Sequence, residues 1–192
     1  MATKTSMFSG IKGLLRSRPR WHTEAGLVRL DITSGGMAGW QCVGHLEEAH
    51  VSVAPSAASV LVSPDFVCAE KGVKYAVAIL PGRLFSARKN RTATNIQAEA
   101  DRRGLIKPNT DLACLIRRSF SDEDIQAMGF RSIIVMHEPI LADGSLCVLG
   151  VDSDGASDGP FWATYELGTY SYDDPPDDPW DREHGFAYIV PV

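Results

Sequence analysis

The residues best equipped for acid–base work stand where an apolar run ends, in SIIVMHEPI at 132–140. A histidine titrates near neutral pH, and an adjacent carboxylate can orient it. His137 and Glu138 are therefore the candidate catalytic residues. The pair opens the zinc motif HExxH, but Leu141 stands where the second histidine should be. Pro139 argues against a helix running through both residues. In an extended chain neighbouring side chains point to opposite faces, so one of the pair can line a site and the other faces away.

A second chemistry is offered by LPGRLFSARKNRTATN at 80–95. It follows an apolar run and leads into a helical pattern. Arg83, Arg88, Lys89 and Arg91 beside the free N–H groups of a helix start would suit a phosphate or carboxylate. Neither GxxxxGK[ST] nor GxGxxG is present, so the stretch is not a known nucleotide loop. A third pattern, VDSDGASDGP at 151–160, sets Asp152, Asp154 and Asp158 among glycines. The EF-hand spacing fails because Gly155 comes early and Ala156 replaces an acid. A tight turn accounts for the same residues, and neither a metal nor a cofactor is expected.

The most unusual stretch is GTYSYDDPPDDPWDREH at 168–184. Asp173, Asp174, Asp177, Asp178 and Asp181 are interleaved with Tyr170, Tyr172 and Trp180. Acids alone make a solvated surface, whereas aromatics among them favour an interface. Three prolines hold the segment extended and reduce the entropy lost on binding. As an anchor, Trp180 has to be at least partly exposed. The competing account is internal, with the acids neutralising the chain's own basic N-terminus.

The elements that must position these residues follow from periodicity and punctuation. The whole chain has 192 residues, 44% of them apolar and 22% charged, which are ordinary globular values. Its net charge of -5 hides opposed blocks: residues 1–23 carry five bases and no acid, while residues 152–192 carry ten acids against Arg182 alone. Residues 1–20 read as a basic amphipathic segment, with Met7, Phe8, Ile11, Leu14 and Leu15 at helical spacing. Residues 21–192 read as a single domain. From 27 to 80 the pattern is mostly β, with LVRLDI, WQCVGHL, HVSVAP, SVLVSP and VKYAVAIL as strands.

The middle of the chain turns helical. TATNIQAEADRRG starts at Thr92 or Thr94 and ends before Gly104; NTDLACLIRRSF and SDEDIQAMG follow, the last with Ser121 and Asp124 in capping-box relation. Residues 131–137, SLCVLGVD, FWATYEL and GFAYIVPV return to β. Strands, then helices, then strands make an α+β fold, with a mainly antiparallel or mixed sheet and about three short helices from the middle of the chain on one face. Cys42, Cys68, Cys114 and Cys147 follow no metal or disulfide pattern and are expected to be free thiols in a cytoplasmic protein.

The function expected is therefore that of an interaction or accessory protein, whose acidic aromatic loop meets a basic protein surface. An inhibitor that imitates nucleic-acid charge is one form of it; nucleic acid itself is not an expected partner. The alternative is an enzyme or binding protein for a phosphorylated small molecule, using Arg83, Arg88, Lys89 and Arg91 with His137.

Overall fold

The computed structural model describes residues 20–142, 144–153, 166–172 and 180–191. The N-terminal amphipathic segment before Arg20, Asp154 and Asp158, and Asp173, Asp174, Asp177 and Asp178 lie outside them.

Among the described residues one sheet of nine strands organises the chain. Its order is β1 (Trp21–Glu24), β2 (Leu27–Thr33), β4 (Lys74–Pro81), β9 (His184–Ile189), β5 (Ser132–Val135), β7 (Ser145–Asp152), β8 (Glu166–Ser171) and β3 (Ser52–Val53), with β6 (Ile140–Ala142) also on β7. Neighbours are antiparallel except β5 with β9 and β3 with β8. The sheet is mixed and the class is α+β, in agreement with the pattern of the sequence. No helix among the described residues is long and apolar enough to cross a membrane.

Both faces of the sheet are covered. Along β5, Ile133 and Val135 join one apolar cluster while Ile134 and Met136 join another, so alternate residues point into two cores. The larger core lies under α1 (Gly39–Glu48), α2 (Pro55–Leu61), α4 (Leu112–Ser119) and α5 (Asp122–Ala127). The second lies under α3 (Ala93–Arg102) and the aromatics Trp180, Phe186 and Tyr188. The α-helices among the described residues are thus five and divide between the faces, where about three on one face were expected. Each fully buried Ile or Leu in these layers contributes about 1.5–3 kcal/mol relative to exposure.

Two of the helices replace strands of the sequence reading. In α1 the buried residues are Gly39, Cys42 and Leu46, the spacing of a helix face, and Trp40, which an alternating strand would bury with Cys42, is exposed. In α2, Pro55 is not a strand break but the first helical residue, where its fixed φ and missing N–H fit. Two of the middle helices, α3 and α5, keep their expected caps, while the Asp111 side chain before α4 does not cap it. Thr92 Oγ1 accepts from Asn95 N–H, and Gly104 follows α3 at φ +69°. Ser121 and Asp124 form a reciprocal capping box on α5. Strand β8 begins at Glu166, so of FWATYEL only its end belongs to a described strand, and 168–171 belongs to the sheet rather than to a loop.

Candidate functional site

His137 owes its place to an irregularity in the sheet. Ile134 pairs with Gly150 and Ile140 with Cys147, so 135–139 stand opposite only Val148 and Leu149. The chain bulges there, and the Leu149 N–H loses its strand partner. The imidazole replaces it. Nε2 accepts from Leu149 N–H at 2.9 Å, and Nδ1–H donates to the Glu138 carbonyl at 2.7 Å. His137 is 1% exposed, and burial lowers its pKa to about 4. With both ring nitrogens held by main chain, it completes the sheet and has no nitrogen left for acid–base work. Glu138 turns outward to an ion pair with Lys107 at 3.0 Å, so the two side chains part as an extended chain requires.

The basic loop divides in two. Arg83, Arg88 and Lys89 are exposed in two short 3-10 turns, with the Arg83 guanidinium 6.0 Å from the Phe130 ring centre. Arg91 is buried. Its Nε donates to the Trp180 carbonyl at 2.7 Å and its Nη1 to that of Phe85 at 3.3 Å, while Trp180 N–H returns a bond to the Arg91 carbonyl at 3.0 Å. Trp180 stacks on Phe186 at 5.1 Å and is 7% exposed. It is therefore a core residue and does not meet the exposure that an anchor requires. At Trp180 the chain is clipped to the basic loop through main-chain groups. Asp181 is exposed beside this junction. Tyr172 is half-buried, with the Lys107 ammonium 5.6 Å from its ring centre.

A polar cluster that the sequence reading did not assemble lies across three central strands. Register aligns His184 on β9, Ser132 on β5 and Asp152 on β7 in one row. Ser132 Oγ and Tyr170 Oη both donate to Asp152 Oδ1. Tyr170 reaches it by lying over Gly150, where a Cβ would come within 2.3 Å of the ring. The His184 ring meets Tyr170 edge-on at 5.6 Å. Its Nδ1 accepts from Asp181 N–H at 3.2 Å, which leaves the proton on Nε2, and burial lowers its pKa. Burial, then the Asp152 charge, pushes the Tyr170 hydroxyl far up. Ser132 donates to the carboxylate and not to the imidazole, so this is not a serine–histidine–aspartate relay. It is a fixed hydrogen-bonding network around an anion. No group of three or more metal-ligating side chains occurs among the described residues, so of the acids at 152–158 only the placed one, Asp152, can be judged, and it bonds hydroxyls.

On the larger helical layer the loop after α2 meets α1 around a hollow of about 240 Å³, lined by Trp40, Leu61, Val62, Phe66 and Cys68. Trp40 is 68% exposed and Val62 64%. The loop is pinned from below by Asp111. Its carboxylate accepts from Tyr75 Oη at 3.1 Å, Ala69 N–H at 3.2 Å and Ser34 Oγ at 3.3 Å, and its own N–H bonds the Val67 carbonyl at 3.1 Å. Burial raises the Asp111 pKa, and these hydrogen bonds work against that rise. The helices approach so closely that a Cβ on Gly39 would sit 1.7 Å from the Leu61 carbonyl oxygen. Reading α1 and α2 as strands hid this surface; the helical spacing of Gly39, Cys42 and Leu46 was the signal that could have revealed it.

No family model, curated protein or solved structure matches the chain.

Proposed function

We propose that the protein works by docking a protein partner, and that the hollow beside Trp40 is the docking surface. The observation that supports this is the grouping of Trp40 and Val62, both more than half exposed, around a cavity whose walls are held by Asp111. Large apolar side chains gathered at one exposed place favour association, and tryptophan is among the strongest anchors. The partner in this reading inserts an apolar side chain between α1 and the loop after α2.

This keeps the class of function expected from the sequence and moves its surface. The acidic segment was to supply Trp180 as anchor, but that ring is packed on Phe186. The alternative, a site for a phosphorylated small molecule, needed Arg91 and His137, and both are committed to main-chain groups.

Three baits in native lysate test the proposal: the full chain, Trp40→Ala, and a chain shortened across 173–179. A partner retained by the full and shortened chains and weakened by Trp40→Ala supports it; the expected loss is about 2 kcal/mol, or roughly thirtyfold in Kd. Retention by Trp40→Ala with loss on shortening would return the function to the acidic segment. Equal capture by all three would reject both surfaces.

A further inference from the structure

The outer edge of β8 is left open where β3 departs from it. Tyr172 N–H bonds the Leu146 carbonyl at 2.8 Å, and antiparallel pairs alternate, so Gly168, Tyr170 and Tyr172 turn their main-chain groups to β7. Leu167, Thr169 and Ser171 turn theirs the other way. β3 meets the first of these, with Ala54 N–H donating to the Leu167 carbonyl at 3.0 Å. A parallel strand continuing from there would next offer the Ala54 carbonyl to Thr169 N–H. That carbonyl accepts instead from Ala58 N–H at 2.9 Å, because α2 starts at Pro55. The N–H and C=O groups of Thr169 and Ser171 thus have no main-chain partner among the described residues. The Thr169 hydroxyl bonds Ser56 Oγ at 2.7 Å, and Ser171 is exposed. Residues 168–171 include no charge and no proline of the kind that guards strand edges. An apolar row leads to this edge on the opposite face: Leu141 pairs with Leu146 and Leu146 with Tyr172 across three adjacent strands. Leu141 is 65% exposed, Leu146 36%, and Tyr172 is half-buried.

We propose that β8 takes an extended segment of a partner protein as an added strand, bonded to the main chain of Thr169 and Ser171, with an apolar side chain beside Tyr172 that prolongs the row. The inference stands apart from the docking reading, whose surface is the hollow at Trp40. β3 shows the form of the occupant, since it already lies on this edge as an extended strand as far as Ala54. A second copy of the chain is disfavoured there, because each copy carries a net charge of -5. In strand addition the main-chain bonds supply the hold, and the side chains at alternate positions supply the selectivity.

Amide exchange of the free full chain, followed by NMR, tests the edge itself. Thr169 and Ser171 should exchange fast, and Gly168 and Tyr170 slowly. Equal protection of all four would show the edge already covered and would overturn the proposal. Peptides of about ten residues, displayed on phage and selected on the full chain, test the occupant. Ser171→Pro deletes one outward N–H, which an edge strand tolerates, whereas Ser171→Ala keeps it. Selected peptides should bind Ser171→Ala like the wild type, bind Ser171→Pro about tenfold more weakly, and protect the Thr169 and Ser171 amides. They should also bind Trp40→Ala undiminished, which separates this edge from the hollow. Methylating alternate amide nitrogens of a selected peptide reads the same pairing with no change to the protein: one register should abolish binding and the other leave it. A selection that yields no peptide, peptides that bind Ser171→Pro as tightly as the wild type, or equal loss in both methylation registers would overturn the proposal.

Discussion

At the scale of single residues, His137 acts as an acceptor that the bulged sheet lacks. His137→Ala leaves the buried Leu149 N–H without a partner, which costs about 1–3 kcal/mol. Thermal unfolding of the two proteins measures it. The same residue makes stability depend on pH. Burial holds its folded-state pKa at about 4, below the ordinary 6.5, so the unfolded chain takes up the proton first as pH falls. The contribution is whole above about pH 6.5, declines towards pH 4 and is constant below that. His184, also lowered by burial, acts in the same direction. His137→Gln can still accept from Leu149 and does not titrate, so its melting temperature should fall less steeply across that window. An identical slope in the two proteins would contradict this account.

At the scale of elements, two glycines of α1 predict opposite outcomes. Gly44 has open space where its Cβ would be, so Gly44→Ala should stabilise the helix by up to about 1 kcal/mol. Gly39→Ala directs a methyl group into the Leu61 main chain, which cannot rotate away as a side chain could, and should lower the melting temperature by pushing α1 from α2. A second pair of elements meets through Gly150 and Tyr170. Gly150→Ala should cost about 1–3 kcal/mol through overpacking. In Tyr170→Ala it should cost much less, because the ring it collides with is gone. A double-mutant cycle by denaturant unfolding reads the coupling; simple additivity would show that the ring does not lie there.

At the scale of the molecule, the two apolar clusters close around the sheet among the described residues, which begin at Arg20. Arg20 donates to the Ser119 carbonyl and its guanidinium lies 5.1 Å from the Phe120 ring centre. If residues 1–19 dock onto an external acidic surface, their removal with Arg20 kept leaves the melting temperature nearly unchanged. A fall of many degrees would make the N-terminal segment part of the core.

Local patterns by themselves determined the α+β class, the β2, β4 and β9 strands, the capping of α3 and α5, and the opposite directions of His137 and Glu138. Each depends on neighbours within a few residues: alternation, a hydroxyl or carboxylate before a helix, a glycine after it. The helical nature of α1 and α2 was legible but ambiguous, because a short apolar run fits a strand as well as a helix until burial decides. Tertiary structure alone decided the rest. It placed α3 opposite the other helices, buried Trp180 under a clip from Arg91, and aligned Ser132, Asp152 and His184 across strands distant in sequence. It also buried Cys42 and Cys114 in one apolar cluster. Those contacts depend on register and on which face each side chain takes, quantities set by the packing of the whole sheet and not by any local run of residues.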